Sequence, residues 1–397
     1  MAKLCIDDLE LSGKRLLIRV DFNVPIDEQG TITDDTRIRA ALPTISYAIQ
    51  HGAKVLLISH LGRPKGGPNP KFSLGPVAGR LAALLGGPVQ MAEDCVGPEV
   101  KARIDKMGPG NVLMLENCRF HPEEEKNDEA FSGALAGLCD LYVNDAFGTA
   151  HRAHASTVGV TRFVKQSACG FLMQTELKQL GALLDSPKRP FVAILGGAKV
   201  SDKIGVLANL LPKVDSFLIG GGMAYTFLKA QGQEVGSSRV EADGLRIAQE
   251  TMEQAGRSSV GIHLPSDHVI AERIDADAPT RQVDGSIPVG SMGLDIGPAT
   301  ISRFTQEVRR AKTILWNGPM GVFELLPFRE GTFALAKAVA ISGAHSVIGG
   351  GDTAAAVVQA GVADRMTHIS TGGGASLEFL EGKELPGIAA LTDKARV

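Results

Sequence analysis

Cysteine is scarce in this sequence, and its arrangement argues against two classes of small domain. The five cysteines are odd in number, irregularly spaced and contain no Cys-x-x-Cys pair: Cys5, Cys95, Cys118, Cys139 and Cys169. Disulfide frameworks and zinc sites need paired, regularly spaced cysteines. We therefore expect reduced thiols in a cytoplasmic protein, with neither a disulfide framework nor a zinc site.

Excess charge and long apolar runs are also missing. The net charge is only −3, which gives no general attraction to nucleic acid or to an anionic membrane. Residues 1–10 lack the apolar centre of a signal peptide, and no stretch approaches the roughly 18 apolar residues of a membrane span. These absences predict a cytoplasmic protein without nucleic-acid or membrane partners.

Aromatic residues make up only 5% of the chain, so the cores must be built mainly from valine, isoleucine, leucine and alanine. The length of 397 residues favours two domains, because single cores stop growing near roughly 250–300 residues.

Short apolar runs alternate with helical patterns along the chain. The runs do not alternate with polar residues, which is typical of strands covered on both faces in a parallel sheet. The predicted strands are Arg15–Asp21, Lys54–Ser59, Asn111–Glu116, Asp140–Asp145, Phe191–Leu195, Asp215–Gly220, Gly261–Leu264, Thr313–Asn317, Ser346–Gly349 and Thr367–Ser370. The predicted helices between them include Leu74–Leu85, Val200–Leu211, Asp243–Ala255 and Phe333–Ser342.

Ten strands exceed what one ordinary domain uses, and a helical pattern over residues 171–184 precedes a proline-rich stop at 185–190. We interpret 171–185 as a connecting helix between an N-terminal domain (1–170) and a C-terminal domain (186–376). The predicted fold class is α/β, with two doubly wound parallel-sheet (Rossmann-like) domains joined by that helix and a hinge.

The chemically distinctive residues follow the predicted strands. They are Asp21, His60, Arg119, Asp145, Gly196, Gly220, Asn317, Gly349 and Ser370. Open α/β sheets bind ligands at this carboxyl edge. Strands often end in turn residues, which accounts for glycine and asparagine but not for arginine and histidine that recur in the first half only.

Four segments bring cations to that edge in the N-terminal half, namely residues 19–25, 59–64, 115–121 and 145–154. Arg37 adds another cation. Several arginines and histidines that converge predict a multiply charged anion, because an arginine fork donates two parallel hydrogen bonds to phosphate or carboxylate. Asp21 and Asn23 could bind a substrate hydroxyl. Any one arginine could equally be a solvated surface residue, and His121 is more simply structural. We expect His60, His151 and His154 to contact the anion rather than a metal.

The C-terminal half instead carries glycine runs between strands and helices: 196–203, 220–227 and 348–354. Glycine lets the backbone approach a phosphate, and a helix N-terminus supplies free N–H groups. Lys199 and Lys203 are spaced to share a helical face toward a polyphosphate, although they could be two exposed lysines. Asp352 could hold Mg²⁺ on the nucleotide or merely cap its helix with Thr353, and Glu324 could accept a hydrogen bond from a ribose hydroxyl.

A dehydrogenase is a competing interpretation, because Gly349-x-Gly351-x-x-Ala354 fits the loose dinucleotide fingerprint. That fingerprint expects an acidic residue about 20 residues later and normally opens its domain. Residues 367–375 contain no acid, and the motif lies near the end of this sequence. We therefore discount it. A regulatory nucleotide-binding module without catalysis is a second alternative.

Seven segments together resemble the phosphoglycerate kinase family: 19–25, 59–63, 144–154, 196–200, 316–319, 349–353 and 370–376. The resemblance covers essentially the whole chain, and the first and third segments are the most specific. It implies the reaction 1,3-bisphosphoglycerate + ADP ⇌ 3-phosphoglycerate + ATP, with Mg²⁺. It also implies that the enzyme acts in glycolysis and is a monomer. It further implies that residues 377–397 return to the N-terminal domain.

The resemblance implies two sets of site residues. The phosphoglycerate set is Asp21, Phe22, Asn23, Arg37, His60, Leu61, Gly62, Arg63, Arg119 and Arg152. The nucleotide set is Gly197, Lys199, Lys203, Gly221, Asn317, Glu324, Gly350, Gly351, Asp352 and Thr353, with Asp352 as the metal ligand. We expect Arg37 and Lys199 to be the catalytic residues, stabilising charge on the transferring group in a direct transfer after hinge closure.

Overall fold

The computed structural model describes residues 3–394. Its strands, in chain order, are β1 Arg15–Arg19, β2 Lys54–Ile58, β3 Val89–Met91, β4 Val112–Met114, β5 Leu141–Asn144, β6 Ser167–Cys169, β7 Phe191–Leu195, β8 Ser216–Ile219, β9 Gly261–His263, β10 Asp267–Ala271, β11 Arg281–Asp284, β12 Met292–Ile296, β13 Thr313–Asn317, β14 His345–Gly349 and β15 His368–Ile369. Its α-helices are α1 Thr36–Gln50, α2 Gly75–Leu85, α3 Pro98–Asp105, α4 Glu129–Ala136, α5 Phe171–Asp185, α6 Ile204–Leu210, α7 Gly221–Ala230, α8 Gly244–Arg257, α9 Pro298–Arg310, α10 Glu330–Ile341, α11 Gly351–Gln359, α12 Gly374–Leu380 and α13 Pro386–Ala389.

The chain divides into two compact units. The first holds Met1–Lys178 and Glu384–Val397, and the second holds Gln179–Lys383. The division falls inside α5, and the chain returns to the first unit after residue 383 instead of after residue 376 as expected. Helix α12 explains this difference, because it packs against α6 and the Asn209 amide donates to the Leu380 carbonyl, all within the second unit.

Each unit is organised around a six-stranded parallel sheet, which confirms the predicted doubly wound α/β class. The strand order is β3-β4-β2-β1-β5-β6 in the first unit and β15-β14-β13-β7-β8-β9 in the second. The central strands are buried throughout, as the uninterrupted apolar runs predicted. In the second unit the core is built on aliphatic residues around Trp316, the single tryptophan.

Five strands were missed by the sequence reasoning. Strands β3 and β6 are only three residues long, and the former is partly exposed. The other three, β10 to β12, form a separate antiparallel sheet in the order β11-β10-β12. Strand β11 is Arg-Gln-Val-Asp and mostly exposed, so a search for continuous apolar runs could not find it.

The predicted helix at Val200–Leu211 also differs. Residues Ser201–Lys203 form a 3₁₀ turn, and the α-helix begins only at Ile204. Lys199 therefore precedes both the 3₁₀ turn and α6 and is exposed, whereas Lys203 is buried. The expectation that these two lysines share a helical face is wrong.

Candidate active site

Strand register brings the charged segments of the first unit to one edge of its sheet. Arg19, the last residue of β1, is aligned with Ile58 of β2 and with Asn144 of β5. Residues that follow these strands therefore emerge side by side, and Asp21 and His60 are among them. This is the sheet edge at which open α/β folds hold ligands.

Arg37 contacts two of the residues predicted with it. Its guanidinium, in the first turn of α1, donates to an Asp21 carboxylate oxygen at 3.1 Å and to the Asn23 carbonyl at 3.1 Å. The Asn23 side-chain oxygen accepts from the Gly62 amide at 2.9 Å. Phe22 is buried, and its amide donates to the Ser59 hydroxyl. The 21–23 loop is thus tied to both α1 and the loop after β2.

Gly62 is required by its surroundings. Its φ of 61° is left-handed, and a Cβ there would collide with the Phe72 ring. The Gly62 carbonyl accepts from the Arg119 guanidinium at 3.0 Å, which orients that arginine toward the loop. Leu61 is buried, and its carbonyl accepts from the Asn117 amide nitrogen at 2.8 Å.

The cations at this edge lie close enough to influence one another. Burial lowers the pKa of Arg119 despite the opposing charge of Glu125, and Arg19 and Arg152 lower it further. Burial also holds the pKa of His60 well below its ordinary value, and the charges of Arg19, Arg119 and Arg37 act in the same direction. The cluster is therefore positively charged around a neutral histidine, and an anion would relieve the repulsion.

The histidines at 151 and 154 join this cluster. The Arg152 side chain donates to the His151 ring at 3.2 Å. Burial first, and then Arg119 and Arg19, lower the pKa of His154 to about 4. Arg63, by contrast, is exposed.

Two residues have structural surroundings instead. Asp145 was expected at the ligand edge, but it is buried and its carboxylate accepts from the Met173 amide in the first turn of α5. It therefore anchors α5. His121 contacts Asp94 at 2.7 Å, and Cys95 completes a group whose ligand atoms lie within 4.8 Å of one another. The sequence did not predict this group, because His121 is distant along the chain from Asp94 and Cys95. Burial raises the pKa of the Cys95 thiol well above its ordinary value, so the thiol stays protonated.

A comparable alignment occurs in the second unit, but backbone replaces side chains. Asn317, the last residue of β13, is aligned with Leu195 of β7 and with Gly349 of β14. The glycine-containing loops that follow β7, β8 and β13 pack directly on one another. A Cβ on Gly221 would lie 2.6 Å from the Gly197 nitrogen and 2.8 Å from the Pro319 carbonyl oxygen, and Gly221 has φ 63°. Only glycine allows this packing.

These loops line a cavity of about 290 Å³. Gly197, Gly221, Glu324 and Asp352 of the predicted nucleotide set are part of its wall. Sequence reasoning missed the apolar lining, which is Tyr225, Ile274, Met292, Leu294, Met320 and Val322. Most of it belongs to β12 or to the loop after β13, where no motif marks it. An apolar slot with two carboxylates suits a base and a ribose.

The remaining predicted residues lie beside this cavity with distinct contacts. The Lys203 ammonium is buried and donates to the Asn317 side-chain oxygen, and burial lowers its pKa. The Asn317 side-chain nitrogen is buried without a hydrogen-bond partner among residues 3–394. The Thr353 hydroxyl accepts from the Gly318 amide at 2.7 Å, which fixes the start of α11, where Gly350 and Gly351 lie.

A larger cavity of about 710 Å³ lies elsewhere, beside α1 and α2. Its charged lining consists of Asp34, Asp35, Arg39 and Arg80, and Asp35 pairs with both arginines at 2.8 and 2.6 Å. The paired charges satisfy one another, so the cavity is a weaker candidate. Across residues 3–394, no helix is both long enough and apolar enough to cross a membrane.

Comparisons with known proteins point to one family. A family model described as phosphoglycerate kinase matches residues 6–383. A phosphoglycerate kinase of Koribacter versatilis is 60% identical over 403 residues, covering 99% of this chain and 100% of the relative. One of Anaeromyxobacter sp. strain K is 60% identical over 393 residues, covering 98% and 99%.

Solved structures give the same result. The structure of phosphoglycerate kinase from Coxiella burnetii superposes with a TM-score of 0.89 at 43% identity, and each chain is covered to 98%. The enzyme from Pyrococcus horikoshii gives 0.86 at 35% identity, with the same coverage. These matches confirm the resemblance carried by the motifs and leave no support for a dehydrogenase. The chain belongs to the phosphoglycerate kinase family.

Proposed function

We propose that the two sheet edges divide the reaction of this family between them. The reaction is reversible phosphoryl transfer from 1,3-bisphosphoglycerate to ADP, giving 3-phosphoglycerate and ATP. The observation that supports the division is the contrast between a cationic edge in one unit and a glycine-lined cavity in the other. The first unit then binds phosphoglycerate, and the second binds the nucleotide.

In the first unit, Arg37, Arg119 and Arg152 supply charge to the phosphate and carboxylate of phosphoglycerate. His60 supplies a hydrogen bond, and Asp21 and Asn23 bind the hydroxyl. Arg37 is already aligned by Asp21 and by the Asn23 carbonyl, so little side-chain freedom is lost on binding. Arg63 would join this set from its exposed position. The buried Phe22, Leu61 and Gly62 hold the loops in place.

In the second unit, the N-terminus of α11 at Gly350 and Gly351 presents backbone amides to the phosphates. The Gly197 and Gly221 amides instead donate to the Pro319 and Met320 carbonyls, so these two glycines hold the loops that form the cavity wall. The side-chain nitrogen of Asn317 has a free hydrogen-bonding capacity for the phosphates. Lys203 and Lys199 contact the phosphates, Thr353 secures the loop, and Glu324 accepts from the ribose. The apolar slot takes the base.

The residues present also fit a magnesium ion on the nucleotide. Asp352 offers an exposed carboxylate in the wall of the cavity, and its charge raises the pKa of Lys203 against the larger effect of burial. Mg²⁺ prefers one or two carboxylates together with phosphate oxygens and water. We propose that Asp352 holds Mg²⁺, which would neutralise phosphate charge.

Transfer itself needs no covalent enzyme intermediate. The bond from phosphorus to the carboxyl oxygen of 1,3-bisphosphoglycerate breaks, and its electron pair stays with the departing carboxylate. A β-phosphate oxygen of ADP forms the new bond to phosphorus. Arg37 and Lys199 stabilise the charge that spreads over the transferring oxygens. Because these two residues belong to different units, we propose that substrate binding closes the units about a hinge and excludes water.

The decisive experiment is a coupled assay for ADP formation from ATP and 3-phosphoglycerate. Turnover that requires both substrates is expected. ADP binding without turnover would instead favour a regulatory nucleotide-binding module. A phosphorylated enzyme detected after incubation with ATP alone would refute direct transfer, and an unchanged radius of gyration with both substrates bound would contradict closure.

We further propose a monomer in the cytoplasm. The free state of all five thiols suits a reducing compartment. Light scattering is expected to give the single-chain mass of 41.7 kDa.

A further inference from the structure

A chain of buried polar groups lies behind His60 in the first unit. Arg19, Glu124 and Ser156 are fully inaccessible to solvent. Burying a charged arginine and a carboxylate is costly unless both are satisfied by hydrogen bonds. None of the three belongs to the predicted phosphoglycerate set, so their burial calls for an explanation.

Arg19 donates hydrogen bonds in two directions, toward Glu124 through the Ser156 hydroxyl and toward His60. Glu124 accepts from the Ser156 hydroxyl at 2.6 Å and from the Ser156 amide at 2.9 Å. The Ser156 hydroxyl in turn accepts from Arg19 Nε at 2.8 Å. Arg19 Nη1 donates to the Val20 carbonyl, and Nη2 lies 3.1 Å from His60 Nδ1. Every one of these arginine nitrogens is therefore directed by a specific partner.

The last contact determines where the proton of His60 lies. A guanidinium has only donors, so His60 Nδ1 must be the acceptor and cannot carry a proton. The ring proton then lies on Nε2. A protonated imidazolium would place an N–H against the guanidinium, which excludes that form while Arg19 is in place.

We propose that Arg19 is a positioning residue that fixes His60 as the neutral tautomer with its proton on Nε2, so that His60 donates a hydrogen bond to an oxygen of phosphoglycerate. The inference rests on the proposed function, in which His60 contacts that substrate. Ser156 and Glu124 extend the effect, because they hold the guanidinium in the orientation that meets Nδ1.

The charges around His60 support the same protonation state. Burial lowers its pKa most, and Arg19 on β1, Arg119 beside the loop, Arg37 on α1 and His154 lower it further. The nearest opposing carboxylate on this path, Glu124, contacts Ser156 rather than the imidazole. His60 should therefore stay neutral throughout the range from about pH 5 to pH 8 in which free histidines titrate.

Nitrogen NMR of the free enzyme tests the tautomer without relying on activity. The protein is labelled with ¹⁵N-histidine, and the His60 signals are assigned by their loss in His60→Gln. We expect a pyridine-type shift for Nδ1 and a pyrrole-type shift for Nε2, with no titration between about pH 5 and pH 8. A proton on Nδ1, or two pyrrole-type nitrogens at pH 6, would overturn the proposal.

Substrate addition then separates the two hypotheses. Added 3-phosphoglycerate is expected to shift the Nε2 signal. If 3-phosphoglycerate shifts the His60 signals but the ring proton is found on Nδ1, the proposed role of Arg19 is refuted and the contact of His60 with the substrate is not. If it binds and leaves His60 unchanged, the donor role fails together with the place of His60 in the proposed site.

Variants at Arg19 test the cause. Arg19→Lys retains one donor and should keep the Nε2 proton. The double variant Arg19→Met/Glu124→Gln removes the guanidinium donor. It also removes the negative charge of Glu124, which would otherwise be buried without the positive charge of Arg19. The double variant should show a mixture of tautomers, and its KM for 3-phosphoglycerate should rise about tenfold to a hundredfold with little change in the KM for ATP. A pure Nε2–H signal in the double variant would overturn the role of Arg19.

The matched control is Arg15→Gln on the same strand. Arg15 pairs with Asp140 at 2.7 Å, and both side chains are partly exposed. This variant should leave the His60 signals and both KM values unchanged. If the double variant does not fold, the spectrum of the unmodified enzyme and that of Arg19→Lys still decide the question, because loss of the Nε2 proton in either would contradict the proposal.

Discussion

The two units use the same sheet edge in opposite ways. In the first unit, side chains converge on the edge, and several of them are buried cations whose charges oppose one another. In the second unit, glycine loops stack so closely that a single added methyl group would displace the backbone. In the proposed function, one unit would recognise its ligand with side-chain charge, and the other with shape and the backbone amides at the start of α11.

This difference follows from the proposed ligands. Phosphoglycerate is small and carries both a phosphate and a carboxylate, so we expect charge on several sides to give most of its affinity. A nucleotide has a large base that needs an apolar slot, and its phosphates can be held by amides at helix N-termini. We expect substitutions of charge to act on the first ligand and substitutions of backbone geometry to act on the second.

The largest effect is expected for Arg37→Ala. Loss of the guanidinium removes charge stabilisation from the transferring group, and such losses lower kcat by about a hundredfold to a thousandfold. The dissociation constant of ADP should stay the same, because Arg37 belongs to the first unit. Steady-state kinetics with a separate ADP titration measures both quantities.

Arg39→Ala is the matched control for that experiment. Arg39 lies on the same helix and pairs with Asp35 at 2.8 Å, but it does not contact Asp21 or Asn23. Its kcat should be unchanged. If Arg37→Ala also retained full kcat, the catalytic role of Arg37 would be refuted.

A smaller effect on the opposite substrate is expected for Gly221→Ala. The new methyl group would lie within 3 Å of the Gly197 backbone and the Pro319 carbonyl, so the stacked loops must separate. We expect ADP to bind about tenfold to a hundredfold more weakly, with 3-phosphoglycerate binding unchanged. Calorimetric titration of each ligand checks this.

Gly256→Ala provides the comparison. Gly256 lies near the end of α8 with nothing within 4 Å of the position of a Cβ. The same substitution there should stabilise the fold by roughly 0.5–1 kcal/mol and leave ADP binding unchanged. Equal ADP affinity in both variants would contradict the role assigned to loop packing.

The sequence predicted the side-chain edge better than the glycine cavity. Asp21, His60 and Arg119 could be placed together because they follow continuous apolar runs, and the ends of such strands must align in a parallel sheet. The cavity wall at Met292 and Leu294 could not be predicted in this way. It lies on β12, whose register depends on β10 through an irregular antiparallel pairing that no local pattern encodes.

Local spacing also misled in particular places. The four-residue interval between Lys199 and Lys203 indicated a shared helical face, but the helix begins after both, with a 3₁₀ turn. Asp145 follows a strand like its neighbours, yet tertiary contacts turn it toward α5. In both instances packing beyond the local sequence decided the orientation.

A final comparison concerns one buried carboxylate in each unit. Asp145 anchors α5 in the first unit. In the second unit, Asp295 accepts from the Gly331 amide at 2.8 Å, near the start of α10. Burial raises the pKa of Asp145 from 3.8 to about 6 and that of Asp295 from 3.8 to about 7, against hydrogen bonds that lower both. Each folded unit thus holds the proton more tightly than its unfolded chain.

The two carboxylates should respond differently to replacement by asparagine. A raised pKa in the folded state means that stability falls as pH rises through the window between the unfolded and folded values. That window runs from about pH 4 to pH 6 for Asp145 and from about pH 4 to pH 7 for Asp295. Asp145→Asn should remove this dependence and gain at most about 3 kcal/mol relative to the native chain at neutral pH, because asparagine carries no charge to be buried.

Asp295→Asn should gain less, since its two oxygens accept from the amides of Ile296 and Gly331, and an NH₂ group would face one of these donors. Urea unfolding at acid and neutral pH tests both variants. Fluorescence of Trp316, the only tryptophan, follows the second unit, and hydrogen exchange at the Met173 amide follows the first. If Asp145→Asn keeps the native pH dependence of stability between about pH 4 and pH 6, the Asp145 carboxylate ionises in the fold without a cost in stability. The proposed difference between the buried carboxylates of the two units would then be refuted.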